Sequence, residues 1–92
     1  MFRYAHTPDQ ISTGTMTAST TAAQMSSNTF PCNQIFIEND PDNNVDIFIG
    51  NSVSQPLQLQ PGQSLTCDIN TITGFWIKSA SSTALVNWLS IG

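Results

Sequence analysis

Residues 31–51 constrain the fold more than any other part of the chain. Isoleucines alternate with polar residues or phenylalanine on both sides of residues 40–44, and this period of two is typical of half-buried β-strands. The intervening Asp-Pro-Asp-Asn-Asn sequence favours a turn, because proline lacks an N–H group and Asp and Asn bond to their own backbone. The sequence therefore predicts a β-hairpin with one aliphatic face. The residues of that face are Ile35, Ile37, Val45, Ile47 and Ile49.

The other face of this predicted hairpin is unusual. Phe36 lies directly across from Phe48, and Glu38 and Asp46 share the same face, which is polar enough to be solvated. Leaving two large aromatic side chains in water is unfavourable. We therefore expect another subunit to cover the aromatic pair.

Composition indicates one all-β domain. Of the 92 residues, 37 are Ser, Thr, Asn or Gln and only 9% are charged, whereas long exposed helices draw on Glu and Lys. A chain of this length buries roughly 60% of its unfolded surface, which is enough for one core. Turn residues divide it into about eight short strands. We predict a single-domain antiparallel β-sandwich or jelly roll.

The most clearly specified single turn is Gln60-Pro61-Gly62-Gln63. Proline suits the second position of a type II turn, and glycine accepts the positive φ that the third position requires. The sequence predicts such a turn between two strands.

Residues 1–14 lack a sustained period and contain Pro8 and Gly14. We interpret them as an extended N-terminal arm that precedes the β-sandwich domain of residues 15–92. Two alternatives remain for the arm: a disordered terminus, or a segment that Phe2 and Tyr4 order on a neighbouring subunit. At the start of the domain, residues 15–27 predict two short Thr-rich strands, although their Ala and Met residues also allow a helix.

The last strand, residues 84–91, is apolar on both faces, and Trp76 adds a large apolar side chain to the strand before it. One face of an antiparallel sheet normally meets water. We therefore expect Trp76 and Trp88 to be covered, either by another subunit or by the arm.

Charge and hydropathy exclude two classes of partner. Only Arg3 and Lys78 are cationic and the net charge is −4, so the chain neutralises few phosphates and we expect no direct nucleic-acid binding. No apolar run approaches the ~18 residues of a membrane span, and the first residues lack the apolar core of a signal peptide. We expect no membrane partner and synthesis in a cytosol, where Cys32 and Cys67 are thiols.

The sequence contains no catalytic set. The single His6 lies in the arm, and neither a nucleophile elbow nor a Cys–His arrangement is present. Asp40, Asp42 and Asn44 offer oxygens to Ca²⁺, but the turn lacks the glycine and the distal glutamate of a helix-flanked calcium loop. A zinc site would need more ligands than the cysteines and one histidine supply. We predict a non-enzymatic protein with no metal and no cofactor.

Several motifs follow one another in order along residues 15–92. They are a Thr-rich strand, PCN at 31–33, IENDPDN at 37–43, IFIGN at 47–51, LQPGQSL at 59–65, FWI at 75–77 and VNWL at 86–89. In this order the chain resembles small virion structural proteins of tailed bacteriophages; the resemblance leaves out the arm. It implies a β-sandwich on a capsid or tail, commonly a trimer, that acts as a cement, decoration or fibre-base protein and has no catalytic residues.

We therefore expect a capsid cement protein on the virion surface that is assembled in the cytoplasm of the bacterial host. Its expected partners are further copies of itself, as a homotrimer, and the major capsid protein. The predicted interface residues are Phe2, Tyr4, Phe36, Phe48, Trp76 and Trp88. The alternative is a tail or fibre-base module in which Trp76 and the Asn/Asp turns bind host-surface glycan.

Overall fold

The protein is an all-β sandwich. The structure, a computed structural model, describes residues 11–27 and 32–92. These residues form eight strands and no helix, so no helix in this part of the chain is suited to crossing a membrane. The strands are β1 (Ile11–Ala18), β2 (Ala23–Gln24), β3 (Gln34–Asn39), β4 (Ile47–Gly50), β5 (Leu57–Leu59), β6 (Ser64–Asp68), β7 (Trp76–Ser79) and β8 (Ala84–Ile91). The predicted fold class is confirmed.

The eight strands form two antiparallel sheets. Sheet A has the order β1-β8-β3-β6, and sheet B has the order β2-β7-β4-β5. Consecutive strands alternate between the sheets, except for β4 and β5, which are hydrogen-bonded neighbours. These connections make the sandwich a jelly roll.

The core lies between the sheets and follows the period-two pattern of the sequence. Ile35 and Ile37 of β3 and Ile47 of β4 are fully buried, whereas Phe36 points outward. Full burial of each such aliphatic side chain contributes about 1.5–3 kcal/mol. The other buried apolar residues are Ala18, Met25, Cys32, Ile49, Leu59, Ile72, Ile77, Ala84, Val86 and Trp88. The aliphatic face predicted from the sequence thus forms the centre of the core, with Val45 packed at its margin.

The predicted hairpin between β3 and β4 is wrong, because the two strands belong to different sheets. β3 pairs with β6 and β8, and β4 pairs with β5 and β7. Period-two alternation specifies which face of a strand is buried, and that requirement is met equally when two strands face each other across a core. Residues 40–46 therefore carry the chain from sheet A to sheet B instead of reversing it within one sheet.

The predicted type II turn is confirmed. Gly62 has a φ of 85°, and the Gln63 N–H donates to the Gln60 carbonyl at 2.9 Å. A side chain at this φ would be strained, which explains the glycine. The turn connects β5 in sheet B to β6 in sheet A.

The first strand begins earlier than the predicted domain boundary. β1 starts at Ile11, so residues 11–14, which were assigned to the arm, form the first half of an eight-residue strand. β1 and β2 confirm the two Thr-rich strands predicted for this region. The predicted contacts of Phe2 and Tyr4 lie outside the described residues.

Trp88 is covered by the chain itself. It is opposite Gly14 in the β1–β8 pair, and a Cβ atom at Gly14 would lie 2.5 Å from Trp88 Cζ2. The indole ring therefore occupies the space that glycine leaves open, and only 6% of the residue remains exposed. Trp88 therefore needs no other subunit to cover it, and the contact comes from Gly14, the last residue that was assigned to the arm.

The two cysteines are free thiols in unlike surroundings. Cys32 is buried, its Sγ donates to the Ile69 carbonyl at 3.3 Å, and burial raises the pKa of its thiol. Cys67 is half-exposed. Because the thiolate is the reactive form, we expect iodoacetamide at neutral pH to modify Cys67 in the folded protein and Cys32 only after unfolding. Peptide mass spectrometry measures the order, and faster labelling of Cys32 would contradict the burial argument.

Candidate interaction surface

The outer face of sheet A is the broadest regular surface in the described part of the protein. This face consists of every second residue of each strand, namely those whose side chains point away from the core. The residues between them point inward. Its members are Ile11, Thr13, Thr15, Thr17, Gln34, Phe36, Glu38, Ser64, Thr66, Asp68, Leu85, Asn87, Leu89 and Ile91.

One end of this face carries a contiguous apolar patch, which consists of Ile11, Phe36, Leu89 and Ile91. Phe36 is the cross-strand neighbour of Leu89, and Ile11 is the neighbour of Ile91. Ile11 is 66% exposed and Phe36 is 36% exposed. Residues paired across adjacent strands have their Cβ atoms only ~5 Å apart, so the four side chains form one surface.

A shallow groove of about 440 Å³ runs beside the apolar patch. Phe36 and Leu89 form its apolar side, and Thr13, Thr15 and Asn87 supply hydroxyl and amide groups. The groove thus offers an aromatic ring next to hydrogen-bonding groups, which suits either a polar loop of a protein or a sugar.

The other end of the face is acidic. Asn87 Nδ2 donates to Glu38 Oε1 at 3.0 Å and to Asp40 Oδ2 at 2.9 Å. The hydrogen bond from Asn87, together with one from the Asp42 N–H, lowers the pKa of Asp40. Folding therefore favours the ionised form of Asp40. The resulting contribution to the stability of the fold is present at neutral pH and is lost as the pH falls through the lowered pKa.

The charge of this outer face is uniformly negative among the described residues. Glu38 and Asp68 are its ionisable members, Asp40 adjoins it, and the described cation, Lys78, belongs to sheet B. Two such faces would repel each other through these carboxylates. A partner that carries cationic or amide groups beside apolar ones fits better.

Phe36 and Phe48 do not form the predicted pair, because they lie on opposite sides of the molecule. Phe48 points outward from sheet B, where its neighbours are Gln58 and Lys78. Lys78 Nζ lies 5.9 Å from the centroid of the Phe48 ring, within cation–π range. Phe48 is therefore partly covered by its own sheet, whereas Phe36 faces the open groove.

Trp76 and Trp88, which were also predicted to lie in an interface, are in different parts of the protein. Trp76 is half-buried on the outer side of sheet B between Gln24 and Gly50, and Trp88 is in the core. Of the four predicted residues that the structure describes, it therefore brings only Phe36 to the apolar patch. Sequence reasoning did not assign Ile11, which it placed in the arm, and it noted the apolar outer residues of β8 without assigning them to an interface.

The Asp- and Asn-rich turn after β3 is held by hydrogen bonds within the protein. The Asp42 N–H donates to Asp40 Oδ1 at 2.9 Å, and Asn43 Nδ2 donates to the Leu85 carbonyl at 2.7 Å. In the described part of the chain, no group of three or more His, Cys, Asp or Glu residues is arranged to hold a metal ion. Of the three residues that the sequence offered to Ca²⁺, Asp40 accepts hydrogen bonds from the Asp42 N–H and from Asn87 of β8.

Comparisons with known proteins identify a fold but no family. No protein-family model matches the chain, and no curated protein matches it. A subunit of Bacillus endospore appendages, described as a novel family of disulfide-linked pili, matches with a TM-score of 0.54 at 12% identity, over 99% of this chain and 96% of that chain. The Yersinia pseudotuberculosis-derived mitogen has a TM-score of 0.44 at 15% identity, over 89% and 85% of the two chains. The first likeness is one of fold alone.

Proposed function

We propose that this protein is a non-catalytic structural subunit that acts as a capsid cement on a phage virion. In this proposal the outer face of sheet A docks on the major capsid protein. The observation that carries it is the exposed apolar patch of Ile11, Phe36, Leu89 and Ile91, on a domain whose core is already closed between its two sheets. A surface of this kind is typical of an interaction site.

The fold is compatible with this role. Double-sheet jelly rolls occur in viral capsid proteins and in lectins, and a chain with the same fold is a subunit of pili. A fold does not determine a function. The likeness supports only the view that such a sandwich can be built into a large assembly.

The size of the face favours binding by several copies together. Four strands ~4.8 Å apart, with five to eight residues that rise ~3.3 Å each, span roughly 430 Å². A standard protein interface buries about 800 Å² on each partner. One face is therefore small for stable docking, and linking copies into the predicted homotrimer raises the overall affinity through avidity.

The acidic end of the face specifies the chemistry of the partner. Glu38 and Asp40 lie at this end of the surface that would be covered, and Asp68 lies at the other end, in the same row as Gln34 and Ile91. A capsid surface with lysine or arginine at the matching positions would pair with them. We therefore expect docking to weaken as the salt concentration rises, because exposed ion pairs are screened.

The test is the binding of the purified protein to particles assembled without it. Phe36→Ser is expected to weaken cosedimentation with these particles about 10- to 100-fold, because one large apolar side chain contributes about 1.5–3 kcal/mol when covered. Phe48→Ser is the matched control, since the same change on sheet B leaves the apolar patch intact. Equal losses for the two variants, or no loss for Phe36→Ser, would contradict docking through sheet A.

A second function is favoured by the groove beside Phe36. An aromatic ring flanked by Thr13, Thr15 and Asn87 suits a sugar ring, so we propose as the alternative a tail or fibre-base module that binds host-surface glycan. The predicted platform Trp76 is half-buried and is less suited. Glycan-array binding that is lost with Phe36→Ala and kept with Trp76→Ala would favour this function, and an absence of binding across host polysaccharides would count against it.

A further inference from the structure

The four edge strands of the sandwich differ in length. In sheet B the edges are β2, with two residues, and β5, with three residues that directly follow Pro56. Very short strands and prolines are features by which proteins prevent edge-to-edge pairing. In sheet A the edges are β1, with eight residues, and β6, with five. Only sheet A therefore has edges long enough to pair with another strand.

Among the described residues, β1 lacks three features that protect an edge, namely a bulge, a charge and a proline. Its pairing with β8 runs without a bulge from Ile11–Ile91 to Ala18–Ala84, and its sequence ISTGTMTA contains neither a charge nor a proline. An edge strand leaves the outward N–H and C=O groups of alternate residues without a ladder partner. Within the described part of the chain, β1 makes hydrogen bonds only to β8.

β6 presents a complementary edge on the opposite side of sheet A. It pairs only with β3 among the described residues, and its inward side chains Leu65 and Cys67 are only half-buried at the open side of the sandwich. Met16 of β1 is half-buried in the same way at the other side. Both edges thus leave apolar side chains that an added strand would cover.

The antiparallel order of sheet A also fits one edge to the other. β1 runs antiparallel to β8, β8 to β3, and β3 to β6, so β1 and β6 run in opposite directions. A second copy placed alongside, with its outer face on the same side, brings its β1 antiparallel to β6 of the first. Met16 then meets Leu65 and Cys67 on the inner side, and threonine hydroxyls meet on the outer side, a favourable cross-strand combination.

We propose that copies of this chain join head to tail, with β1 of one copy extending sheet A of the next by pairing with its β6. This inference rests on the self-association in the proposed function and names its surface. Threefold symmetry requires two different surfaces in each contact, which a pairing of β1 with β6 supplies and a pairing of β1 with β1 does not. This pairing uses the strand edges and leaves the outer-face side chains of each copy uncovered.

Disulfide trapping tests this pairing on the full chain. In a Cys67→Ala background, Thr13→Cys, Thr15→Cys or Thr17→Cys on β1 is combined with Thr66→Cys on β6; all four positions are on the outer face, and the three β1 sites sample the possible registers. Antiparallel neighbours have Cα atoms close enough for a disulfide. Under copper–phenanthroline oxidation at high protein concentration, we expect at least one combination to give linked chains at least tenfold above its control. The control replaces Thr66→Cys by Gln58→Cys, on the short edge strand of sheet B.

Two results would overturn the proposal. One is cross-linking of every combination at the level of the Gln58→Cys control, and the other is efficient linking of a single β1 variant to itself, which indicates a twofold β1–β1 contact. As a second measurement, the wild type should form oligomers in sedimentation as its concentration rises; a protein that stays monomeric at every concentration would also contradict edge pairing. Particle binding that still depends on Phe36, without the specific cross-link, would refute this pairing and leave the proposed function standing.

Discussion

Replacing Asn39 by alanine is expected to lower the free energy of unfolding by about 3–4 kcal/mol, since it removes three hydrogen bonds and leaves buried groups without partners. The residue is fully buried at the end of β3. Its Nδ2 donates to the Val45 carbonyl at 3.0 Å and to the Leu59 carbonyl at 2.9 Å, and its Oδ1 accepts from Asn43 Nδ2 at 2.6 Å. One amide thus ties sheet A to one end of the β4–β5 pair in sheet B, where β4 begins and β5 ends.

Urea unfolding followed by tryptophan fluorescence measures this loss. Asn44→Ala is the matched control, because Asn44 is an exposed residue of the same turn, and surface substitutions of this kind usually change stability by no more than about 0.5 kcal/mol. A loss below about 1 kcal/mol for Asn39→Ala would show that water or neighbouring groups replace the amide.

Asn39→Asp separates the lost donor from the lost volume. An ionised carboxyl group cannot donate to the Val45 and Leu59 carbonyls and is unfavourable when buried, and burial raises its pKa. The protonated form restores one donor. We therefore expect this variant to regain stability relative to the wild type as the pH falls, whereas the deficit of Asn39→Ala should change little over the same range.

Gly50→Ala is expected to cost about 3 kcal/mol, at the upper end of the range for overpacking. A Cβ atom at Gly50 would lie 1.9 Å from the Ser54 carbonyl oxygen and 2.6 Å from Gln55 Cα, both parts of the backbone of the β4–β5 loop. That loop cannot move away freely, because Asn51 Oδ1 accepts from the Val53 and Ser54 N–H groups, each at 2.9 Å.

Gly74→Ala is the control for this substitution. A Cβ atom there would have no heavy atom within 4 Å, and replacing glycine without strain reduces the entropy of the unfolded chain. Its melting temperature should equal or slightly exceed that of the wild type, while Gly50→Ala melts well below it. Similar melting temperatures for the two variants would mean that the loop accommodates a methyl group.

Part of the candidate surface followed from the sequence. The apolar character of both faces of β8, and an exposed Phe36 among polar residues, are properties of local alternation, and both are present in the structure. The contribution of Ile11 was not predictable in this way. Its place on the surface depends on pairing with Ile91, 80 positions further along the chain, and local periodicity contains no information about such a partner.

Asn39 shows the same limit in the core. In the sequence it is one of several Asn and Asp residues around a turn, and these favour turns by bonding to their own backbone. Its burial arises because the chain passes from sheet A to sheet B at this point and brings the Leu59 carbonyl to the amide. The alternation of Ile35 and Ile37 places Asn39 on the inward face, but it does not predict the carbonyl groups that bind the amide.

The sequence alone determined the class of the fold, the approximate positions of its strands and turns, and which face of β3 and β4 is buried, because each depends on the period of side chains or on the φ of a few residues. The tertiary structure decided which strands are neighbours. A hairpin and two strands facing each other across a core satisfy the same alternation, and only the packing of all eight strands separates them. That packing placed Phe36 and Phe48 on opposite sides of the molecule, buried Trp88 against Gly14, and left the apolar patch exposed on sheet A, the sheet with the longer edge strands.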